Sequence, residues 1–313
     1  LMGNNADAEK TFRMVVSNYP QGSRTADAWF EIGESRFEAG AWDDAAAAYD
    51  SAIQSVIDRD TMSQLLEQSF HKRGWAFVMK KDHAKAAKAF NEQVKQFPNG
   101  PLTADGYAML GESFFQSGNH AAAREPLSKA IATIEQLSSV DLQGLALIRA
   151  GECAALQGNW EKSLVLSEQL LNMQPESPYT FQARYAAAWA QQNLGQLDLA
   201  ISAFRAIADS SQTEIAARAR MMEGEILFEQ GNHKDAIKAF FKVAYGFGEK
   251  QAPQAFHVWQ AQSTYEAARC FEALGKPDQA ENLYAELLER YPNSAQAPQA
   301  KLRLDALHPP SSP

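Results

Sequence analysis

The chain has 313 residues, of which 45% are hydrophobic and 21% charged, and 29 basic against 38 acidic residues give a net charge of −9. This hydrophobic content is too high for a disordered chain, and no apolar run approaches the ~18 residues that a membrane-spanning helix needs. The acidic balance argues against binding along a nucleic-acid backbone. Two cysteines cannot build a disulfide framework.

The N-terminal segment, residues 1–25, is predicted to be the second helix of a repeat whose first helix is missing. Ala8, Phe12 and Pro20 stand where later repeats carry an alanine, a bulky residue and a helix-ending proline. No basic segment followed by an apolar one, the pattern of a secretory signal, precedes Phe12. Because the N-terminal repeat lacks its first helix, we expect the sequence to be a fragment of a longer protein, in which case the absent signal says little about its compartment.

A pattern typical of a helical hairpin repeats across residues 26–294. Residues 29–37 (WFEIGESRF) align with residues 107–115 (YAMLGESFF), and each segment is followed by a glycine and an alanine-rich second helix. A fixed period of this length indicates stacked repeats rather than globular domains. The seven repeats, numbered 1 to 7, begin at Ala26, Glu67, Ala104, Gly144, Phe181, Ala217 and Ala261. Each is predicted to contain a helix A and a helix B.

Positions counted from the first residue of each repeat show how the two helices should pack. Position 8 is Gly or Ala in every repeat, position 20 is Ala or Ser, and position 24 is bulky except for Ser167. Small residues let antiparallel helices approach closely, and a larger one there would overpack the hairpin at a cost of roughly 1–3 kcal/mol. Position 15 is a glycine suited to ending helix A, except for Lys81 in repeat 2.

This pattern resembles the tetratricopeptide repeat over residues 26–292. The resemblance implies an all-α fold, a right-handed α-solenoid of tandem helical hairpins in which each repeat contacts its neighbours. Residues 295–308 would then be a C-terminal capping helix and residues 309–313 a disordered tail. The long spacing before Ala261 would accommodate a bend between two sections.

The histidines and cysteines do not have the spacing of a metal or catalytic site. His83, His120 and His233 share position 17, where repeats 1 and 4 have tryptophan, which favours a packing role. His71, His257 and His308 lack a ligand partner at metal spacing, and neither HExxH nor CxxC occurs. Cys153 and Cys270 share position 10, where small residues pack. We expect no metal, no cofactor and no enzymatic activity.

In tetratricopeptide proteins helix A lines the concave face, and its positions 5, 9 and 12 are among those that contact ligands. Transferring these positions to this sequence predicts a peptide-binding groove. The predicted groove residues are Phe30, Glu34, Phe37, His71, Trp75, Glu112, Phe115, Glu152, Tyr185, Trp189, Met221, Glu225, Phe228, Tyr265 and Arg269. At any one of them, packing between repeats is an equally strong interpretation.

The predicted groove combines aromatic residues with four glutamates. It would therefore favour a protein or peptide partner with aromatic or aliphatic and basic residues. Glutamate at position 9 argues against the carboxylate clamp of eukaryotic co-chaperones, which uses basic and amide residues there. No nucleic acid and no membrane insertion are expected.

The junctions after helix B carry a second resemblance. The segments 18–23 (NYPQGS), 97–100 (FPNG) and 290–294 (RYPNS) are similar to those of bacterial cell-envelope tetratricopeptide proteins, such as the outer-membrane assembly lipoprotein and the Tol-Pal coordinator. The resemblance implies a non-enzymatic scaffold, in the periplasm or cell envelope, that binds an extended or helical peptide. The alternatives are a cytoplasmic location, a self-associating structural spacer, and a substrate-recruiting region of a larger multidomain protein or enzyme.

Overall fold

A computed structural model describes residues 2–248 and 251–307, with side chains from Asp7 onward. These residues form sixteen α-helices, one 3₁₀ helix (Ile134–Gln136) and no strand. The α-helices are α1 (Met2–Asn18), α2 (Thr25–Glu38), α3 (Trp42–Gln54), α4 (Ser63–Met79), α5 (His83–Gln96), α6 (Thr103–Gln116), α7 (His120–Ala132), α8 (Val140–Ala155), α9 (Trp160–Met173), α10 (Thr180–Asn193), α11 (Leu197–Ser210), α12 (Glu214–Glu229), α13 (His233–Ala244), α14 (Gln254–Ala273), α15 (Pro277–Arg290) and α16 (Ala297–Leu307).

The described helices belong to two compact units, and α9 contributes residues to both. The N-terminal unit comprises residues 2–158 and 172–179, and the C-terminal unit comprises residues 159–171, 180–248 and 251–307. Inside each unit consecutive helices pack against each other, and helices A of neighbouring repeats also touch, as α6 touches α8 and α12 touches α14. The all-α fold of tandem helical hairpins is thus confirmed.

Helices α1 and α16 can be compared with the segments predicted at the two ends of the chain. Helix α1 lies where the second helix of an incomplete repeat is predicted, and α16 lies within the predicted capping segment. His308 and the predicted disordered tail fall outside the described residues.

In the hairpins with a bulky position 24, a large side chain of helix B lies against the small position 8 residue of helix A, as repeats 1 and 6 show. A Cβ atom built on Gly33 would come within 2.5 Å of a ring carbon of Tyr49, and one on Gly224 within 2.6 Å of a ring carbon of Phe240. Both rings are fully buried. The predicted pairing of positions 8 and 24 is confirmed, and it explains why glycine is used in a helix interior despite its poor helix propensity.

Helix A ends in a left-handed residue at position 15, including the one repeat that lacks glycine there. Gly40 and Gly118 have φ values of 73° and 76°, and Lys81 has a φ of 62°. The amide N–H of Lys81 donates to the carbonyl of Val78 as the glycines donate to theirs. The hairpin geometry therefore imposes this conformation on a residue type that adopts it at a cost.

Lys81→Gly should stabilise the protein by about 0.5–1 kcal/mol, because it removes the steric cost of a left-handed L-residue. Urea unfolding followed by far-UV circular dichroism measures this change. Lys80→Gly is the matched control, since Lys80 has a right-handed backbone with a φ of −75° and glycine there should destabilise by up to about 1 kcal/mol. A Lys81→Gly variant no more stable than the parent would contradict the assignment.

Candidate functional site

The predicted groove residues all lie on helices A, which are α2, α4, α6 and α8 in the N-terminal unit and α10, α12 and α14 in the C-terminal unit. Their surroundings follow their position in the repeat. Position 5 faces position 24 of its own repeat, position 12 faces position 17, and position 9 of repeats 1, 3 and 6 faces position 6 of the following repeat.

Position 5 side chains pack inside the hairpin against the position 24 ring. The ring centroids of Phe30 and Tyr49 are 5.7 Å apart, those of Tyr185 and Phe204 are 5.4 Å apart, and Tyr265 is 5.7 Å from its own position 24 ring. Tyr185 is only 9% exposed, and burial raises its pKa to about 12. Met221, at the same position, is 4% exposed. The main role of the position 5 side chains is therefore to pack the two helices of the hairpin together.

His71, the position 5 residue of repeat 2, belongs to a buried hydrogen-bond chain. The Trp75 indole N–H donates to His71 Nε2 at 2.9 Å, so the imidazole is neutral and its Nδ1–H donates to Gln93 Oε1 at 3.1 Å. The Gln93 amide then donates to the carbonyl of Leu102 at 2.9 Å. Burial lowers the pKa of His71, which keeps the ring in this neutral form. His71 thus orients Trp75, whose ring stays partly exposed.

Position 12 aromatics pack against the first residue of helix B. Phe115 lies 4.7 Å from His120 and Phe228 lies 5.0 Å from His233, between ring centroids. Phe37 makes the equivalent contact with Trp42 at 5.0 Å. The packing role predicted for His120 and His233 is confirmed. The three phenylalanines each keep part of their surface exposed.

Each position 9 glutamate of the N-terminal unit is paired with a cation, which belongs to the next repeat for Glu34 and Glu112 and to its own helix for Glu152. Lys72 Nζ lies 2.7 Å from Glu34 Oε2 and 5.5 Å from the centre of the Phe37 ring. The Tyr49 hydroxyl also donates to Glu34. The carboxylate and ring are thus both occupied by one ammonium group.

The same arrangement recurs farther along the N-terminal unit. Arg149 Nε lies 2.7 Å from Glu112 Oε2, and Arg149 Nη1 lies 2.8 Å from Glu152 Oε2. The guanidinium also lies 4.7 Å from the centre of the Phe115 ring. Three of the four predicted glutamates are therefore paired within the chain, and the face is less negative than the sequence alone suggests. The sequence analysis did not identify Lys72 or Arg149 as partners of these glutamates, although both stand at position 6 of their repeats.

The fourth glutamate, Glu225 in the C-terminal unit, has a different environment. Its Oε1 accepts a 3.3 Å hydrogen bond from Gln262 Nε2, and the described residues place no cation within ion-pair distance. Position 6 of the next repeat is Glu266, which pairs instead with Arg269 at 2.8 Å. Burial, followed by repulsion from Glu266 and Glu229, raises the pKa of Glu225 to about 7.

The other predicted groove residues of the C-terminal unit make aromatic and cation–π contacts. Trp189 packs edge-on against Trp160, with ring centroids 5.2 Å apart. The Arg269 guanidinium lies 4.9 Å from the centre of the Phe228 ring. Arg218, which the sequence pattern did not single out, lies with its guanidinium 4.6 Å from the centre of the Tyr185 ring.

The two cysteines are buried, and their thiols are protonated. Burial raises the pKa of Cys153 to about 11 and that of Cys270 to about 12, which keeps both thiols protonated at neutral pH. Over residues 2–248 and 251–307, no cluster of three His, Cys, Asp or Glu side chains is placed to hold a metal ion. No helix among the same residues is long and apolar enough to cross a membrane.

Stacked helical hairpins with these internal pairings define an α-helical repeat protein. Models of the tetratricopeptide repeat match residues 2–59, 71–139, 185–256 and 262–294, and the chain belongs to the tetratricopeptide repeat family. Proteins of this family generally mediate protein–protein interactions, on a scaffold that is generally non-enzymatic. No curated protein matches the chain.

Solved structures show the same fold at low sequence identity. A tetratricopeptide repeat protein from Parabacteroides merdae is 12% identical with a TM-score of 0.56, over 91% of this chain and 99% of that one. The apo form of RapI is 15% identical with a TM-score of 0.52, over 90% and 99% of the two chains. The C-terminal part of a repeat protein from Cytophaga hutchinsonii is 14% identical with a TM-score of 0.50, over 95% and 94%.

Glu225→Gln should stabilise the protein increasingly as pH rises. A carboxyl group whose pKa is higher in the folded than in the unfolded chain binds more protons when folded, so the parent loses stability from about pH 4.5 to about pH 7. The neutral amide does not titrate, and we expect it to gain about 1–3 kcal/mol on the parent over that window.

Urea unfolding between pH 5 and pH 9 measures this difference. Glu289→Gln is the control for the same chemical change, because Glu289 is an exposed glutamate on α15 of the same unit. A Glu225→Gln difference from the parent that does not grow with pH beyond that of the control would contradict the raised pKa of Glu225.

Proposed function

We propose that the protein is a non-enzymatic interaction scaffold that binds an extended or helical peptide segment of its partner along the helix A faces of its hairpins. The observation that supports this proposal best is the partial exposure of aromatic residues at positions 9 and 12. Phe37, Trp75 and Phe115 in one unit, and Trp189 and Phe228 in the other, have rings anchored by internal contacts yet partly open to solvent. Preorganised aromatic surface of this kind supplies most of the binding energy at many interfaces.

The internal ion pairs change what the partner should look like. Because Glu34, Glu112 and Glu152 already have cationic partners, their electrostatic attraction for a basic peptide is reduced. Affinity would come chiefly from apolar and aromatic side chains of the peptide, with basic residues selected at few places. This preference agrees with the aromatic or aliphatic residues that the sequence predicts in the partner. It limits the predicted basic residues of the partner to few places.

We place this scaffold in a bacterial cell envelope, on its periplasmic side. The proposal rests on the junction segments with the sequences NYPQGS, FPNG and RYPNS. Fractionation of the source cells into cytoplasm, periplasm and membranes, followed by detection with an antibody to residues 26–294, tests it. Recovery of the native protein in the cytoplasm alone would remove the envelope assignment and leave the binding function standing.

Trp75→Ala and Trp189→Ala should each weaken peptide binding at least tenfold, since truncating a central aromatic anchor typically costs more than about 1.4 kcal/mol. Peptides are first selected from a phage-displayed random 12-residue library on the full chain, and their affinities are then measured by fluorescence anisotropy. Glu112→Lys should also weaken binding, because the introduced ammonium group would repel Arg149 on the same face and disturb the rings that Arg149 contacts.

Exposed apolar residues away from these faces provide controls in both units. Tyr19 is 66% exposed in the first junction and Leu199 is 58% exposed on helix B of repeat 5. Tyr19→Ala and Leu199→Ala should bind within twofold of the parent. If the two tryptophan variants remain folded by circular dichroism and bind like the controls, the helix A faces are not the binding surface.

A further inference from the structure

Position 9 of one repeat and position 6 of the next form a matched pair in both units. Glu34 meets Lys72 and Glu112 meets Arg149 in ion pairs. Where position 9 is tryptophan, position 6 of the following repeat is methionine. Trp75 packs against the apolar cluster that contains Met109, and Trp189 and Met222 both pack against the apolar cluster of the C-terminal unit. The two residues are matched in these four pairs, whereas Glu152 faces no such match, because position 6 of repeat 5 is Ala186 and Glu152 pairs with Arg149 of its own helix.

Glu225 is the position 9 residue whose position 6 partner carries the same charge, because that partner is Glu266. On α8 the ion pair between positions 6 and 9 is Arg149 with Glu152, whereas on α14 it is Glu266 with Arg269, with the charges in reverse order. This reversal removes the cation that Glu34 and Glu112 each have. The ring at position 12 is retained, since Phe228 occupies the place of Phe37 and Phe115.

The groups around Glu225 leave its carboxylate accessible and short of positive charge. Its side chain is partly exposed on α12, and Gln262 is its hydrogen-bond partner. The charged groups that influence it are Arg218 and Glu229 on α12 and Glu266 and Arg269 on α14, with the Tyr185 phenol on α10. Arg269 is engaged by Glu266 and by the Phe228 ring. One more cation beside Glu225 would balance the excess of carboxylates there.

We propose that Glu225 binds the ammonium or guanidinium group of a lysine or arginine side chain in the bound peptide, in the place that Lys72 and Arg149 take beside Glu34 and Glu112. The inference rests on the proposed function, since it assigns one side chain of the same partner. The aliphatic part of that side chain would lie along Phe228, as the Lys72 and Arg149 side chains approach Phe37 and Phe115. Glu225 would thereby select a basic residue at one fixed place in the peptide.

Selection of peptides on two proteins tests the assignment. The phage-displayed 12-residue library is panned at pH 8 against the full chain and against Glu225→Gln, with Glu289→Gln as the matched control on the exposed face of α15. Parent and control should enrich peptides with lysine or arginine at one constant position, and Glu225→Gln should enrich the same apolar positions without the basic one.

A single selected peptide then measures the size of the effect. Replacing its basic residue with norleucine, which keeps the aliphatic chain and removes the charge, should weaken binding to the parent about tenfold and binding to Glu225→Gln less than twofold. Because the carboxylate must be ionised to hold the cation, the tenfold preference should shrink as pH falls from 8 to 6, given a Glu225 pKa of about 7.

The variant Glu266→Lys distinguishes a loss of peptide selectivity from a loss of folding. This substitution supplies an internal cation in the position that Lys72 occupies relative to Glu34. The variant should keep or raise the urea midpoint and lose the preference for a basic peptide residue.

The outcomes are distinct. If no peptide is enriched on the parent, both the proposed function and this inference fail. If peptides are enriched without a fixed basic position, or if the basic preference survives in Glu225→Gln or in Glu266→Lys, the role of Glu225 is wrong and the proposed function is unaffected.

Discussion

The close approach of the two helices in each hairpin, at the small residue of position 8, is the constraint on which the other contacts depend. A Cβ atom at Gly33 or Gly74 would overlap the ring of Tyr49 or Phe90, so that ring can be seated only where helix A has no side chain. Once it is seated, its edge becomes the packing surface for position 5, as Phe30 and His71 show. Position 12 lies one helical turn beyond position 8, and its side chain contacts the first residue of helix B instead of the ring.

Position 9 is not one of the helix A positions that pack against helix B. It points about 100° around the helix from position 8, away from helix B and toward the next repeat. For Glu34 and Glu112 the cationic partner is therefore a residue of another hairpin, and the identity of such a partner can change without affecting the hairpin itself. This explains how the N-terminal unit carries both an apolar joint at Trp75 and ionic joints at Glu34 and Glu112.

The sequence predicted the packing of the hairpins well because its signal repeats. Glycine or alanine at position 8 and a bulky residue at position 24 recur often enough for one physical explanation to fit them all. The left-handed backbone of Lys81 was not predicted, because a lysine gives no local indication of that conformation. It follows only from the geometry that the other hairpins share.

The candidate site was less predictable, for a reason that Glu34 and Glu225 illustrate. Both are glutamates at position 9, and a comparison of single repeats treats them as equivalent. Their environments differ through position 6 of the following repeat, which is Lys72 in one case and Glu266 in the other. Position 5 was similarly ambiguous, because the burial of Tyr185 and Met221 depends on a ring from helix B.

A repeat protein can place a selective group at such a joint with little risk to its fold. Each hairpin contacts only its neighbours, so the cost of an unmatched pair is confined to one interface. At Glu225 that cost takes the form of a carboxyl group whose pKa rises to about 7 because it is partly buried and faces Glu266. A group held in this state gains more from a cation than a well-solvated glutamate does, because the interaction then offsets a desolvation cost that folding has already imposed. The ion pairs at the other position 9 glutamates reduce their selectivity for a basic peptide. Glu225, which has no such pair, would therefore supply this charge selectivity at a single position.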